Sequence, residues 1–234
     1  MLETIDGIEC EYERSGGKSD HTVLFLHGWG GGLEAFSGAY SVMRDLGVDA
    51  VNFAFPVCVP PEYGIYDYAA YVSKFLGKHK IRDPIIVGHS FGGRVGVILA
   101  AQGGCEKLVL TGAAGLKPRF SLRKKIAVAR YKYRVKHGKP LDGMGSADYN
   151  NLVPEMRGVF VRIVNTHLDK LLPYINCKTL LVWGKADTET PLYMAKRFKR
   201  GIRDSELVLV DGGHFGYAES HYGFIKYLKS FVME

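Results

Sequence analysis

One short turn constrains the fold of this 234-residue chain more than any other feature of its sequence. The β-branched run 83–87 is typical of a buried strand, and the apolar run 93–101 is long enough for a buried helix. The segment Gly88-His89-Ser90-Phe91-Gly92 joins the two runs, with its serine on the turn itself. The flanking glycines allow close backbone approach, as in a G-x-S-x-G nucleophile elbow. The sequence therefore predicts a strand, a sharp turn and a helix, with Ser90 as a candidate nucleophile.

Two further motifs supply the partners that a serine nucleophile needs. Serine is a weak nucleophile near neutral pH unless a base takes its proton and an acid orients that base. Asp187 follows the predicted strand 178–184, and His214 follows the predicted strand 205–210. Asp211 is the other nearby acid, but it is expected to end a strand and to face solvent. We therefore expect Asp187 to be the acid and His214 to be the base.

Acyl transfer also needs N–H donors for the negative charge that develops on the substrate oxygen. The predicted strand 22–26 runs directly into a loop, 27–32, that contains four glycines. In an elbow fold such a loop gives one backbone N–H and the residue after the nucleophile gives the other. The expected donors are the backbone N–H groups of Trp29 and Phe91. Two histidines beside these motifs are expected to hold loops through hydrogen bonds rather than to act as the base: His27 and His89.

Strands and helices alternate along most of the remaining chain. A hairpin is expected over about residues 2–14, with its turn at Asp6-Gly7. The other expected strands are 22–27, 49–55, 83–88, 106–112, 178–184 and 205–210, and the expected helices are 33–46, 66–79, 91–102, 191–200 and 217–232. This alternation predicts an α/β fold with a mostly parallel, doubly wound sheet. Ligands bind such sheets at the carboxyl ends of the strands, where Ser90, Asp187 and His214 are expected to meet.

Residues 114–175 break the alternation. We expect them to form a helical cap inserted into a core made of residues 1–113 and 176–234. The insert carries 13 lysines and arginines against four acidic residues, and the stretch from Lys117 to Lys139 has ten basic residues and no acidic one. Within this stretch the spacing of four side chains predicts one apolar helix face: Leu122, Ile126, Ala129 and Tyr133.

The favoured interpretation of the basic stretch is a solvated helix that packs on the core. The alternatives are contact with an anionic membrane surface and attraction of acidic substrates. Nucleic-acid binding is disfavoured, because no recognised nucleic-acid-binding module accompanies the charge.

Composition limits the class of protein further. A 47% hydrophobic content over 234 residues can build one large core, and no run of about 18 apolar residues indicates a membrane span. The first residues are acidic and lack an apolar signal core. Four scattered cysteines show neither metal-ligand spacing nor a disulfide framework. These features predict a cytoplasmic protein with reduced thiols and no metal.

Taken together, the motifs resemble the α/β-hydrolase superfamily, and they are similar to its small, cap-bearing serine esterase-like members. The resemblance rests on the loop 27–31, the elbow 88–93, the spacing Gly184-x-x-Asp187-x-x-x-Pro191 and Gly213-His214, and it covers about residues 20–112 and 176 to the end. It implies Ser90 as nucleophile, Asp187 as acid, His214 as base and no cofactor. Residues 52–61 depart from the Asp-x-Pro-Gly-x-Gly-x-Ser loop of many relatives, which affects one pocket wall.

The expected activity is hydrolysis of a small-molecule carboxylic ester through an acyl-enzyme. Two alternatives remain open. The same motifs serve a C–C bond hydrolase, and a ligand-binding signalling protein of this fold keeps a triad but turns over slowly. Fold alone does not choose among them.

Overall fold

The computed structural model describes residues 1–120, 122–139 and 147–234, and within these ranges eight strands form one sheet. The strands are β1 Leu2–Ile5, β2 Ile8–Arg14, β3 Thr22–Leu26, β4 Asp49–Ala54, β5 Ile85–His89, β6 Lys107–Thr111, β7 Lys178–Gly184 and β8 Ser205–Val210. Their order in the sheet is β1-β2-β4-β3-β5-β6-β7-β8. Pairing is antiparallel at the β1-β2-β4 edge and parallel from β4 to β8. The predicted α/β, mostly parallel sheet is confirmed.

The predicted hairpin at the start of the chain is confirmed. Ile5 pairs with Ile8 across a two-residue turn, in which Asp6 and Gly7 have φ angles of 52° and 78°. Positive φ at both central residues gives a turn whose twist matches the strands, and Asp-Gly is a favoured pair for it.

Helices cover both faces of the sheet. They are α1 Ser37–Asp45, α2 Ile65–Lys78, α3 Ser90–Ala101, α4 Leu122–Lys136, α5 Ala147–Asn150, α6 Pro154–Asn165, α7 Leu192–Gly201, α8 Gly216–Glu219 and α9 His221–Met233. Helices α2, α3 and α7 pack with one hydrophobic cluster, and α1 and α9 pack with the other. Because both faces are covered, the central strands are buried on both faces rather than at alternate residues; every residue of β4, for example, is buried, including Asp49 and Asn52. No helix in the described ranges is long and apolar enough to cross a membrane.

The insert leaves the sheet after β6 and returns at β7. These two strands are direct neighbours, with Lys107 paired to Lys178 and Thr111 paired to Val182. The insert is helical where it is described, since it contains α4, α5 and α6 and a 3₁₀ turn at Asp169–Tyr174. The division of the chain into core and cap stays a prediction.

Helix α6 is fastened to the rest of the molecule by two arginines. Arg94 of α3 is buried and donates through Nη1 to the carbonyl oxygens of Ile163, at 2.9 Å, and Thr166, at 2.8 Å. Arg162 of α6 reaches in the other direction, to the Tyr63 carbonyl at 2.6 Å. Burial lowers the pKa of Arg94 to about 10, so its guanidinium still carries its charge at neutral pH. The charge needs these carbonyl partners, because an unpaired buried cation is strongly destabilising.

The expectation that the apolar face of α4 packs on the core is wrong. All four residues of that face are exposed, with exposed fractions of 63% for Leu122, 52% for Ile126 and 53% for Tyr133, and Ala129 is exposed as well. On the opposite side of the helix the Tyr131 hydroxyl lies 3.1 Å from that of Tyr149, but Val128 and Val135 on that side are also more than half exposed. The described residues therefore cover little of α4.

Candidate active site

Ser90 lies on the turn between β5 and α3 in a conformation that few L-residues adopt. Its φ is 47°, in the left-handed region, and a strained backbone of this kind costs of order 1–3 kcal/mol. The turn also needs glycine at position 92, because a Cβ there would lie 2.0 Å from the Leu26 carbonyl oxygen. The Gly92 N–H instead donates to the His27 carbonyl at 3.0 Å, which ties the turn to the end of β3. The predicted sharp strand-to-helix turn is therefore present.

Asp187 and His214 lie together, beyond the ends of β7 and β8. Asp187 Oδ2 lies 3.0 Å from His214 Nδ1, and both side chains are buried. The other carboxylate oxygen, Oδ1, accepts the backbone N–H groups of Glu189 and Thr190, each at 2.9 Å. The Thr190 hydroxyl donates to Oδ2 at 2.7 Å. These bonds leave the carboxylate little freedom to rotate.

The electrostatics of this pair favour an ionised Asp187. Burial raises the pKa of the carboxyl group, but hydrogen bonds from His214 and Thr190 outweigh burial and hold the pKa of Asp187 below its usual value. An ionised Asp187 accepts the Nδ1 proton of His214, so the neutral ring presents its bare Nε2 nitrogen as a base. The Asp211 side chain is 86% exposed and pairs with Lys185 at 2.7 Å, so it does not contact the histidine.

Residues next to Ser90 and around its turn contact this histidine. The ring of His89 lies 4.8 Å from the ring of His214, centroid to centroid, and its Nε2 donates to the His214 carbonyl at 3.1 Å. A Cβ on Gly112 would lie 3.2 Å from His214 Nδ1, and a Cβ on Gly28 would lie 3.5 Å from the Ser90 Cβ. The elbow, the histidine and the glycine-rich loop therefore meet in one place.

His27 and His89 hold loops, as predicted. His27 Nδ1 donates to the Gly28 carbonyl at 2.7 Å, and its Nε2 accepts the Phe55 N–H at 3.0 Å. Burial lowers the pKa of His27 and lowers that of His89 to about 3, so neither ring carries a charge at neutral pH. Neutral rings fit this structural role, because each one donates from one nitrogen while the other nitrogen stays unprotonated.

The backbone N–H groups of Trp29 and Phe91 are available to a ligand. Neither group donates to another protein atom in the part of the chain that the structure describes. Phe91 is the second residue of α3, where helical N–H groups have no partner within the helix and the helix dipole favours negative charge. The two groups therefore fit the predicted oxyanion hole, which stays a prediction.

An apolar cavity of about 190 Å³ opens beside this site. Trp29 packs edge-on against Phe91 at 5.2 Å between ring centroids, and Phe91 is similarly packed against Phe55 and Tyr68. Residues 55–57 form one wall, so the segment that departs from the usual family loop does shape the cavity. The insert forms the opposite wall with Asn151, Leu152, Val153 and Met156.

Glu189 is a site residue that the sequence analysis missed. Its Oε2 lies 3.5 Å from His214 Nε2, the ring nitrogen that Asp187 does not contact, and its side chain is 61% exposed. The available signal was an acid two residues after Asp187 in a short loop. No cluster of three or more His, Cys, Asp or Glu side chains that could hold a metal ion occurs among the described residues. The arrangement brings a serine on a sharp turn, a histidine bonded to a carboxylate and two N–H groups to one region, and these are the residue types that acyl transfer requires.

Known proteins with similar sequences and folds are α/β hydrolases. The sequence profile described as "Alpha/beta hydrolase family" matches residues 23–225. The chain is 26% identical to the AB hydrolase superfamily protein YisY of Bacillus subtilis over 84% of its own length and 86% of the relative's. It is 24% identical to the 2-hydroxy-6-oxo-2,4-heptadienoate hydrolase of Pseudomonas putida, over 97% and 93% of the two chains. Its fold is similar to that of an esterase from Exiguobacterium antarcticum, with a TM-score of 0.79, 18% identity, and 100% and 98% of the two chains covered.

Proposed function

The chain belongs to the alpha/beta hydrolase family, and on that premise we propose that it is a serine hydrolase that cleaves a small carboxylic ester through an acyl-enzyme. The observation that carries the proposal is the Asp187–His214 pair, with its 3.0 Å contact, next to a serine held at a φ of 47°. A buried carboxylate bonded to Nδ1 is what a histidine base needs, because it fixes the tautomer of the ring and stabilises its positive charge.

The proposed reaction begins when His214 Nε2 takes the proton from the Ser90 hydroxyl. The serine oxygen attacks the ester carbonyl, and the negative charge on the former carbonyl oxygen is met by the N–H groups of Trp29 and Phe91. His214 then gives its proton to the leaving alcohol, which departs and leaves the acyl group on Ser90. In the second half, His214 takes a proton from a water molecule, whose oxygen attacks the acyl carbonyl. The bond between the acyl carbon and the Ser90 oxygen then breaks, and His214 returns the proton to that oxygen, which releases the acid and restores the serine.

The cavity supports a small apolar acyl group. Its walls are aromatic and aliphatic, with Trp29, Phe55, Tyr68 and Phe91 on one side and Leu152 and Met156 on the other. A short or branched chain buried there gains about 0.8 kcal/mol per methylene group, whereas a charged acyl group would lose its hydration. We therefore propose esters of short, uncharged acids as the substrate class. We also propose a cytoplasmic location, in keeping with four free cysteines.

A C–C bond hydrolase is the second candidate. It is favoured by the similarity to the Pseudomonas putida hydrolase over nearly the whole chain. The two activities are distinguished by assaying one panel of short acyl esters and one vinylogous diketone acid. Faster turnover of the diketone than of every ester would favour the second candidate.

Labelling with a fluorophosphonate tests the proposed nucleophile. We expect the adduct to map to Ser90, and Ser90→Ala to lower ester turnover by roughly 10³-fold or more with no change in melting temperature. Ser73→Ala, at an exposed serine of α2, is the matched control and should keep full activity. An adduct on another serine, or a Ser90→Ala variant near wild-type activity, would contradict the assignment. A stoichiometric burst of product followed by almost no turnover would instead indicate the slow ligand-binding class.

A further inference from the structure

The solvent-facing side of α4 combines exposed apolar side chains with a dense positive charge. Residues from Lys117 to Lys139 include ten basic residues and no acidic one. Leu122, Ile126 and Tyr133 are each more than half exposed, and Phe120 just before the helix is 73% exposed. Isolated exposed apolar residues are ordinary, but a row of them along one basic helix indicates an interaction surface.

The stripe lies on one side of α4. Tyr131, which contacts Tyr149 of α5, lies about 200° around the helix from Tyr133. Leu122, Ile126, Ala129 and Tyr133 are all exposed, and Val128 and Val135 on the side of Tyr131 are more than half exposed as well. We call this stripe the outer face of α4.

Basic side chains flank the outer face on both sides. Arg130 and Lys136 are exposed, and each is three residues from Tyr133 in opposite directions along the chain. A helix with an apolar stripe bordered by arginine and lysine lies in the surface plane of a bilayer. Its apolar side chains enter the acyl boundary and its cations meet anionic headgroups. A polyanion such as nucleic acid would use the charges but would leave the apolar stripe exposed to water.

We propose that the outer face of α4 docks this protein on the surface of an anionic lipid bilayer. The proposal replaces the solvated, core-packed helix favoured by the sequence, because the described residues leave the stripe exposed. It does not depend on the chemistry at Ser90, and docking is expected even of an inactive variant.

A row of aromatic rings connects α4 with the cavity beside the proposed active site. The ring of Tyr131 lies 6.3 Å from that of Tyr149, Tyr149 lies 6.4 Å from Phe160, and Phe160 lies 5.2 Å from Trp29. This row of aromatic rings runs from the inner side of α4 to the cavity wall. A helix held against a bilayer would therefore place the cavity close to the lipid surface.

Co-sedimentation with vesicles tests the proposal. One vesicle preparation is pure phosphatidylcholine, and the other contains phosphatidylcholine and phosphatidylglycerol. We expect the protein to sediment with the anionic vesicles alone, and less at high salt. Reversing two flanking charges, in Arg130→Glu/Lys136→Glu, should weaken binding about tenfold or more, because each basic residue near the surface contributes to attraction. Ile126→Ser should weaken binding several-fold through lost apolar contact.

The matched control reverses two exposed charges on another helix. Lys196→Glu/Arg200→Glu on α7 makes the same change in net charge and should leave binding within about twofold of wild type. The melting temperature of each variant reports on folding independently of any ester assay. Three results would overturn the proposal: no sedimentation with anionic vesicles, an equal loss in the α7 control, or a loss on charge reversal with none in Ile126→Ser. The last result would identify a polyanion surface instead.

Discussion

The Asp187→Asn substitution tests the proposed active site most directly, because the structure fixes which way the new amide must point. Oδ1 of the aspartate accepts two backbone N–H groups, from Glu189 and Thr190. An asparagine keeps those two bonds only if its carbonyl oxygen takes the Oδ1 position. Its NH₂ group then occupies the Oδ2 position, facing Nδ1 of His214.

That orientation reverses the tautomer of the histidine. An NH₂ donor at Oδ2 needs an acceptor, so Nδ1 loses its proton and Nε2 gains one. A protonated Nε2 cannot take the proton of Ser90. We expect kcat for a short aryl ester to fall by roughly 10²–10⁴, or about 3–5 kcal/mol of barrier, with KM little changed.

Asp211→Asn is the matched control. This carboxylate is exposed and pairs only with Lys185 at the surface, so its loss should change kcat by less than about twofold. If Asp187→Asn kept more than about a third of the activity, or if Asp211→Asn were as damaging, the assignment of the acid would be refuted.

The contribution of Asp187 to the stability of the folded protein should depend on pH. The folded pKa of Asp187 lies below its ordinary value of 3.8, so its ionised form stabilises the native state. This contribution is fully present above the ordinary pKa and is lost as pH falls through the lower, folded pKa. The difference in melting temperature between wild type and Asp187→Asn should therefore be full at neutral pH and should shrink in strong acid.

Two further substitutions probe neighbouring features. Glu189→Gln removes a carboxylate 3.5 Å from His214 Nε2, the nitrogen that gives the leaving alcohol its proton in the proposed mechanism. The change should reduce the preference for a choline ester over its uncharged 3,3-dimethylbutyl analogue by up to about fivefold in kcat/KM. An unchanged ratio would show that Glu189 does not face the leaving group. Arg94→Leu leaves two backbone carbonyls without their donor and should lower unfolding free energy by about 2–3 kcal/mol in urea, whereas Arg203→Leu at an exposed position should have little effect. Equal stability of both variants would contradict the anchoring role of Arg94.

The sequence predicted well wherever local chemistry decides the structure. The hairpin turn follows from Asp6-Gly7, which tolerates positive φ, and the elbow follows from glycines around Ser90. The sheet follows from β-branched runs that alternate with helical ones. The position of Asp187 next to His214 follows from the parallel order of β7 and β8, which brings their carboxyl ends together. The catalytic roles of these residues stay predictions.

Features that depend on distant parts of the chain could not be predicted in this way. The anchoring role of Arg94 could not be predicted from its place in a buried helix, because its carbonyl partners lie 69 and 72 residues further along the chain. The apolar stripe on α4 was visible, but periodicity identifies a face and not what the face meets. That outcome depends on how the rest of the chain packs around α4. Glu189 was missed because its direction depends on the bonds that its own loop makes with Asp187.

The pairing of β6 with β7 indicates where the chain can accept inserted residues. The two strands are neighbours in the sheet, yet residues 112–177 lie between them, so folding must close this loop before the pair can form. The entropy of closing a flexible loop grows only with the logarithm of its length, and doubling it costs about 0.6 kcal/mol. Extra helices added between β6 and β7 would therefore weaken the sheet little, provided that they leave acceptors for Arg94. Substrate range can change through insertions at this junction, while the strand ends that carry Ser90, Asp187 and His214 stay where they are.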